Sequence, residues 1–249
     1  MAPNWSLRVA ALTTLTLASG LAQASPSSGW DWAIAPYIWG INVKTDLDRT
    51  TPPVSISNES RFDDVLDQFD GAFQVHAEGE GDDWGLFADF TYLGLSSGDD
   101  RRFLHTETDL DTRLLEVAGV WSPGPERGRG WNLFAGGRFI DLDYTTVFIP
   151  NDPAFAPASV HVGETYTDFM LGARYTWALS DRWSITLRGD GSFGDTDGTW
   201  NASGVAQYNM SNGAWVFGYR YLDVGFKRTQ DNSLSINLHG PEIGYAFRF

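Results

Sequence analysis

The chain is 249 residues long, contains no cysteine, and carries a formal charge of −15 at pH 7. That acidic balance argues against a nucleic-acid partner, whose phosphates need a basic surface. The missing cysteine excludes disulfides, thiolate metal sites and cysteine nucleophiles.

Residues 1–24 read as an export signal. Arg8 supplies the positive start, an apolar core follows, and Ala22-Gln23-Ala24 forms an A-x-A cleavage site before Ser25. That apolar core is too short to cross about 30 Å of hydrocarbon, which favours cleavage over anchoring. Residues 25–249 then have the size of one domain. No later stretch approaches the length of an apolar helical span, an absence without weight for a barrel whose strands are short and half polar.

Apolar and polar residues alternate strongly in ten segments, near 30–43, 71–79, 83–95, 111–121, 131–144, 164–178, 183–194, 199–209, 214–224 and 234–249. The predicted fold is an all-β, ten-stranded antiparallel up-and-down transmembrane β-barrel, with eight or twelve strands as alternatives. An even count suits single-chain bacterial barrels. Connectors at 80–82, 122–130, 179–182 and 210–213 are short and rich in turn formers. Those at 44–70, 96–110, 145–163, 195–198 and 225–233 are generally longer and more acidic. Short periplasmic turns and longer outer loops are the expected asymmetry, and ten strands put both termini on the short-turn side.

Tryptophans mark the same level. Trp84, Trp121, Trp131, Trp177, Trp183 and Trp215 lie within a few residues of short turns, and Trp30 and Trp32 open the first strand. An aromatic girdle at the periplasmic interface is predicted, with Trp39, Tyr92, Phe139, Phe193, Trp200 and Tyr221 as the outer one. Parity gives the direction. Trp183, Ile185, Leu187 and Phe193 share one face, while Ser184, Thr186, Arg188, Asp190 and Ser192 share the other. A lipid-facing exterior and a polar interior account for this, whereas a soluble lipocalin-like barrel would show the inverse. The last strand ends bare, with Ile243, Tyr245, Phe247 and Phe249 on one face. It reads as the closing strand and the signal for the barrel-insertion machinery.

Collecting the inward positions gives a mixed-charge lumen. The acids are Glu78, Asp89, Glu116, Asp168, Asp190 and Glu242; the bases are Arg138, Arg174, Arg188, Arg220 and Arg248, with His76 as a possible sixth. Guanidinium braces two carboxylates at once, which lysine does poorly. A conduction pathway and a plug of ion pairs are both compatible with this set, and near-balance of sign favours the plug.

Catalytic patterns are absent. No histidine has an aspartate two residues before it, the pair used by omptin proteases, nor a serine two residues after it, as in outer-membrane lipases and lipid A deacylases. His76/Glu78 and His105/Glu107 each lack a third metal ligand, so neither metal nor cofactor is expected. His239-Gly240-Pro241 is expected to form a bulge, because apolar parity shifts across it. In the first connector, Phe62, Val65, Leu66 and Phe69 follow i, i+3, i+4, i+7. They suggest a short amphipathic helix that closes the lumen as a lid, lies on the leaflet, or docks a partner. Acidic pairs such as Asp99/Asp100 and Asp195/Asp197 are read as a solvated outer rim.

Pro36-Tyr37-Ile38-Trp39-Gly40, Gly85-Leu86-Phe87-Ala88-Asp89, Gly172-Ala173-Arg174-Tyr175, Gly218-Tyr219-Arg220-Tyr221 and the Phe247-Arg248-Phe249 ending resemble a family of small proteobacterial outer-membrane barrels. Gly191-Ser192-Phe193-Gly194 departs slightly from that family's double glycine. The family has no agreed biochemical activity, so the resemblance implies fold and outer-membrane location rather than chemistry. The expected protein is a monomeric barrel in contact with outer-membrane lipid and lipopolysaccharide. Its expected role is structural, or a narrow gated passage for small solutes. A surface binding or adhesion module acting through acidic outer loops is the alternative, and an outer-membrane enzyme the weakest one.

Overall fold

A computed structural model describes residues 29–50, 53–60, 69–101, 104–124, 126, 128–152, 156–226 and 232–249. The export signal and Phe62, Val65 and Leu66 of the lid expectation lie outside the described residues, and of Phe69 only the backbone is described. The strands are β1 (Asp31–Trp39), β2 (Asn42–Thr50), β3 (Pro53–Ser60), β4 (Phe69–Glu80), β5 (Trp84–Arg101), β6 (Leu104–Trp121), β7 (Gly130–Pro150), β8 (Ala158–Ala178), β9 (Trp183–Gly194), β10 (Gly198–Met210), β11 (Gly213–Phe226) and β12 (Asn232–Arg248).

These twelve strands make ten staves. β1 and β2 both pair with β12, along its C-terminal and N-terminal halves, so together they form one stave interrupted at Gly40 and Ile41. β3 pairs with β2 and β4 with β1, so these two form the second stave. Every neighbour is antiparallel, and β1 against β12 closes the barrel. At the seam Trp32 and Phe249 exchange backbone hydrogen bonds of 3.1 Å in both directions. A closed barrel leaves no unpaired edge in hydrocarbon, where an unsatisfied amide is costly.

Burial runs opposite to that of a soluble protein. Glu116 and Arg138 have no exposed surface, whereas Ile38 is 65% and Trp84 64% exposed. Such an apolar exterior is stable only where lipid replaces water. The outward row includes Trp32, Trp84, Trp121, Trp131, Trp177, Trp183 and Trp215, all exposed near the short-turn end, and Ile243, Phe247 and Phe249 beside the seam. Tyr245, half-buried, shares that row.

Three expectations are corrected. Most of the described residues in 96–110 and 145–163 are strand: β5 pairs with β6 and β7 with β8 as hairpins of strands 18 and 21 residues long. A tilted membrane strand needs about 9–11 residues, so these four strands continue well past the hydrocarbon. Runs such as Ser96-Ser97-Gly98-Asp99-Asp100 are polar at successive positions, so the alternation that marks a strand is lost. Part of the 44–70 connector is likewise the β2–β3 hairpin. Second, there is no bulge at His239-Gly240-Pro241; the β11–β12 register runs unbroken from Gly213↔Phe247 to Phe226↔Leu234. From Ile236 to Ala246 the even-numbered β12 residues point inward, and it is the lumen that turns apolar. Third, Trp39 belongs to no girdle. It points inward and is 3% exposed.

Candidate functional site

Inward parity brings charged side chains from opposite staves to one height. Glu116 on β6 accepts Arg138 Nε at 2.9 Å and Nη2 at 2.7 Å on one oxygen, with Arg220 Nη2 at 3.0 Å on the same atom. Its other oxygen accepts Arg188 Nη2 at 2.8 Å. Asp190 accepts Arg138 Nη2 at 2.5 Å, Arg188 Nε at 2.7 Å and Asn201 Nδ2 at 2.7 Å. Arg220 also reaches Asp89 at 3.3 Å and Asn201 Oδ1 at 3.1 Å. Because Arg220 stands on β11 while Asp89 and Glu116 stand on β5 and β6, these bonds cross the lumen. The planar fork of arginine is what permits several acceptors per cation.

A second group lies toward the short-turn end. Arg174 on β8 binds both oxygens of Glu78 on β4, reaches Glu80 at 3.3 Å, and donates Nε to Asn132 at 3.0 Å. His76 joins the two groups, with Nδ1 3.1 Å from Asp89 and Nε2 3.3 Å from Glu78. Ionised carboxylates only accept, so both contacts are hydrogen bonds together only when both ring nitrogens carry protons. Tyr37 on β1 donates to Asp89 at 2.9 Å.

Apolar side chains continue the block toward the long-hairpin end. Trp39, Ile41, Leu93, Leu114, Ile140, Leu222, Val224 and Phe226 form a buried inward cluster. A second cluster of Phe87, Ala118, Val120, Phe134 and Met170 packs inside as well. Guanidinium faces bridge the two chemistries. Arg188 lies 5.1 Å from the Phe87 ring and 5.0 Å from Phe134, and Arg220 lies 5.0 Å from Trp39. On the short-turn side the lumen opens into a vestibule of about 800 Å³.

Of the eleven charged residues expected in the lumen, Glu78, Asp89, Glu116, Arg138, Arg174, Arg188, Asp190 and Arg220 share this network; Asp168 reaches it only through Ser192, which accepts from Arg138 at 3.2 Å, and Glu242 and Arg248 stand apart. Asp168 accepts from Ser192 at 2.9 Å, from the Thr196 backbone N–H at 3.1 Å and from the Thr196 hydroxyl. It stands opposite Gly194 at the β9–β10 turn, where hydroxyls reach it before any guanidinium does. Arg248 sits exposed at the vestibule mouth and donates to Asn209 at 2.7 Å. Glu242 lines the vestibule and has no ion pair or hydrogen bond among the described residues. Sequence reasoning missed Tyr37, Asn132 and Asn201 in the network, and missed the apolar layer. The inward run Leu222, Val224, Phe226 was its available signal. Among the described residues no group of three or more His, Asp or Glu side chains is arranged to hold a metal ion.

No family model matches the chain, and no curated protein matches it. Solved structures do. The outer membrane protease OmpT of Escherichia coli aligns with a TM-score of 0.53 at 10% identity, covering 89% of this chain and 97% of that one. The translocator domain of autotransporter NalP from Neisseria meningitidis gives 0.45 at 14%, over 88% of each chain. Ail, the attachment invasion locus protein of Yersinia pestis, gives 0.39 at 10%, over 88% and 99%. Identity this low speaks to fold alone: the chain has the fold of a Gram-negative outer-membrane β-barrel.

Proposed function

We propose that this chain, an outer-membrane β-barrel by fold, is a non-catalytic barrel whose lumen is held shut rather than an open pore. One observation carries this: the Arg138, Arg188 and Arg220 guanidiniums join Glu116, Asp190 and Asp89 across the lumen, all of them buried except Arg188, whose side chain keeps 14% exposure. A hydrated ion has no path through charges already paired to one another, and the apolar layer behind them offers no replacement for its water shell. The outward rows contact lipid, and the strand ending in Phe249 is the segment read by the insertion machinery. The protein, reconstituted in a planar bilayer, is expected to show no stable openings. Steady conductance of nanosiemens size would overturn the closed lumen.

A surface-binding role through the outer hairpins is the second reading. The 18- to 21-residue strands β5–β8 favour it, because they rise past the membrane further than closing a barrel requires. Slowed backbone hydrogen exchange in 96–110 or 158–166 on adding purified lipopolysaccharide would support it; unchanged exchange would not.

A further inference from the structure

The plug blocks the lumen from one side only, and the vestibule behind it has a definite chemistry. Its closed end is ringed by Arg174, Arg188 and Arg220 against Glu78, Asp89 and Glu242. The first five of these are committed to one another or to the network. Glu242 is not. Its carboxyl lies flat over Gly218, where a Cβ would collide with it, and no donor meets it among the described residues. Two staves away on β10, Ser203 pairs in register with both Arg188 and Arg220 yet makes no side-chain hydrogen bond. Ser184 and Gln207 face each other between β9 and β10 and are likewise unengaged. Arg188 commits Nε and Nη2 and keeps Nη1 without an acceptor.

β12 therefore carries a free acceptor, the floor a free charged donor, and the nearby β9–β10 wall hydroxyl and amide groups that serve as either. Ala33, Ala35 and Ala246 add small apolar patches to a lining that is otherwise mixed, with Asp31, Glu80, Asn132 and Arg248 among its polar members. We propose that the vestibule is a binding site, open at the short-turn end, for a small uncharged polyol such as a saccharide of one or two rings. A sugar hydroxyl donates to Glu242 while a neighbour accepts from Arg188 Nη1, and the carbon-bound hydrogens rest on the alanines. Signs alternate so closely around the closed end that a cation meets arginines beside Glu242 and an anion meets carboxylates beside Arg188. Neutral ligands escape that penalty. The volume, about 800 Å³, falls within the usual range for small-molecule sites. Such barrels place their short turns at the periplasmic face, so the site takes solutes from the periplasm, and it is independent of whether the plug conducts.

The test uses the full mature chain in nanodiscs free of sugar-headed detergent, titrated with sucrose, raffinose, putrescine or succinate and read by saturation-transfer NMR. Saturable sucrose binding below about 10 mM is expected, weakened roughly tenfold or more in Glu242→Gln and in Gly218→Ala. Gly218→Ala displaces the Glu242 side chain from Cγ outward and meets no backbone atom among its nearest contacts, so it keeps the test alive if Glu242→Gln misfolds. Absence of saturable saccharide binding, tighter binding of putrescine or succinate, or binding unchanged in both variants would each overturn the assignment.

Discussion

Replacing Glu116 by glutamine separates a buried electrostatic plug from a merely crowded lumen. Glu116 has no exposed surface and accepts from three guanidiniums, those of Arg138, Arg188 and Arg220. Glutamine keeps one acceptor oxygen, turns the other position into a donor facing donors, and leaves three cations sharing Asp190 and Asp89. Breaking a buried pair in this way costs about 3–5 kcal/mol, since the abandoned charge keeps its desolvation penalty. That is roughly two to three and a half powers of ten in the folding equilibrium. Urea-dependent folding into lipid vesicles, followed by tryptophan fluorescence, measures it. Asp141→Asn is the control: it breaks the outward Arg113–Asp141 pair of 3.0 Å, whose side chains are 58% and 38% exposed, and should cost below about 1 kcal/mol. Adding Arg138→Gln to Glu116→Gln should recover part of the loss, because the two residues share bonds. A Glu116→Gln cost indistinguishable from the Asp141→Asn cost would refute the plug as a set of buried, mutually dependent charges.

Further outcomes follow from single contacts. Gly240→Ala would drive a Cβ into the Gly40 carbonyl at the seam, where Gly40 N–H bonds Pro241 O at 2.8 Å; heat-modifiable gel migration should be lost or strongly reduced. Asp168→Asn should weaken the β9–β10 turn by about 1–3 kcal/mol, seen as faster exchange at the Thr196 amide with the rest of the barrel unchanged. Both ring nitrogens of His76 should carry protons at neutral pH in a proton–nitrogen correlation spectrum; a neutral ring would mean that one of its two carboxylate contacts is absent. Removing Phe249 should lower assembly in the outer membrane while leaving folding in detergent largely intact, and unchanged assembly would deny the end of β12 a role in insertion.

Strand parity was legible because lipid and a polar lumen impose opposite demands on adjacent residues. In Trp183–Gly194, apolar side chains alternate with Thr186, Arg188 and Asp190, and the barrel places them out and in accordingly. The same logic failed where both faces carry side chains of one kind. The run His105-Thr106-Glu107-Thr108 lies within β6 yet is polar at every position, so no alternation marks it as strand. It failed again at Trp39, Leu222 and Phe226, where the lumen itself is apolar. A tryptophan near a strand end then looks the same whether it faces lipid or the interior.

Sequence alone determined the class: which residues alternate, how many staves they make, and that arginines and carboxylates face inward together, because these are local properties of neighbouring residues. Which charge meets which was decided only by closure. Glu78 and Arg174 lie 96 residues apart, Asp89 and Arg220 lie 131 apart, and nothing local distinguishes Asp168, held by a turn, from Asp190, held by two arginines. Circumference and register set those partnerships. The same closure leaves Glu242 facing an open vestibule with its carboxyl uncommitted.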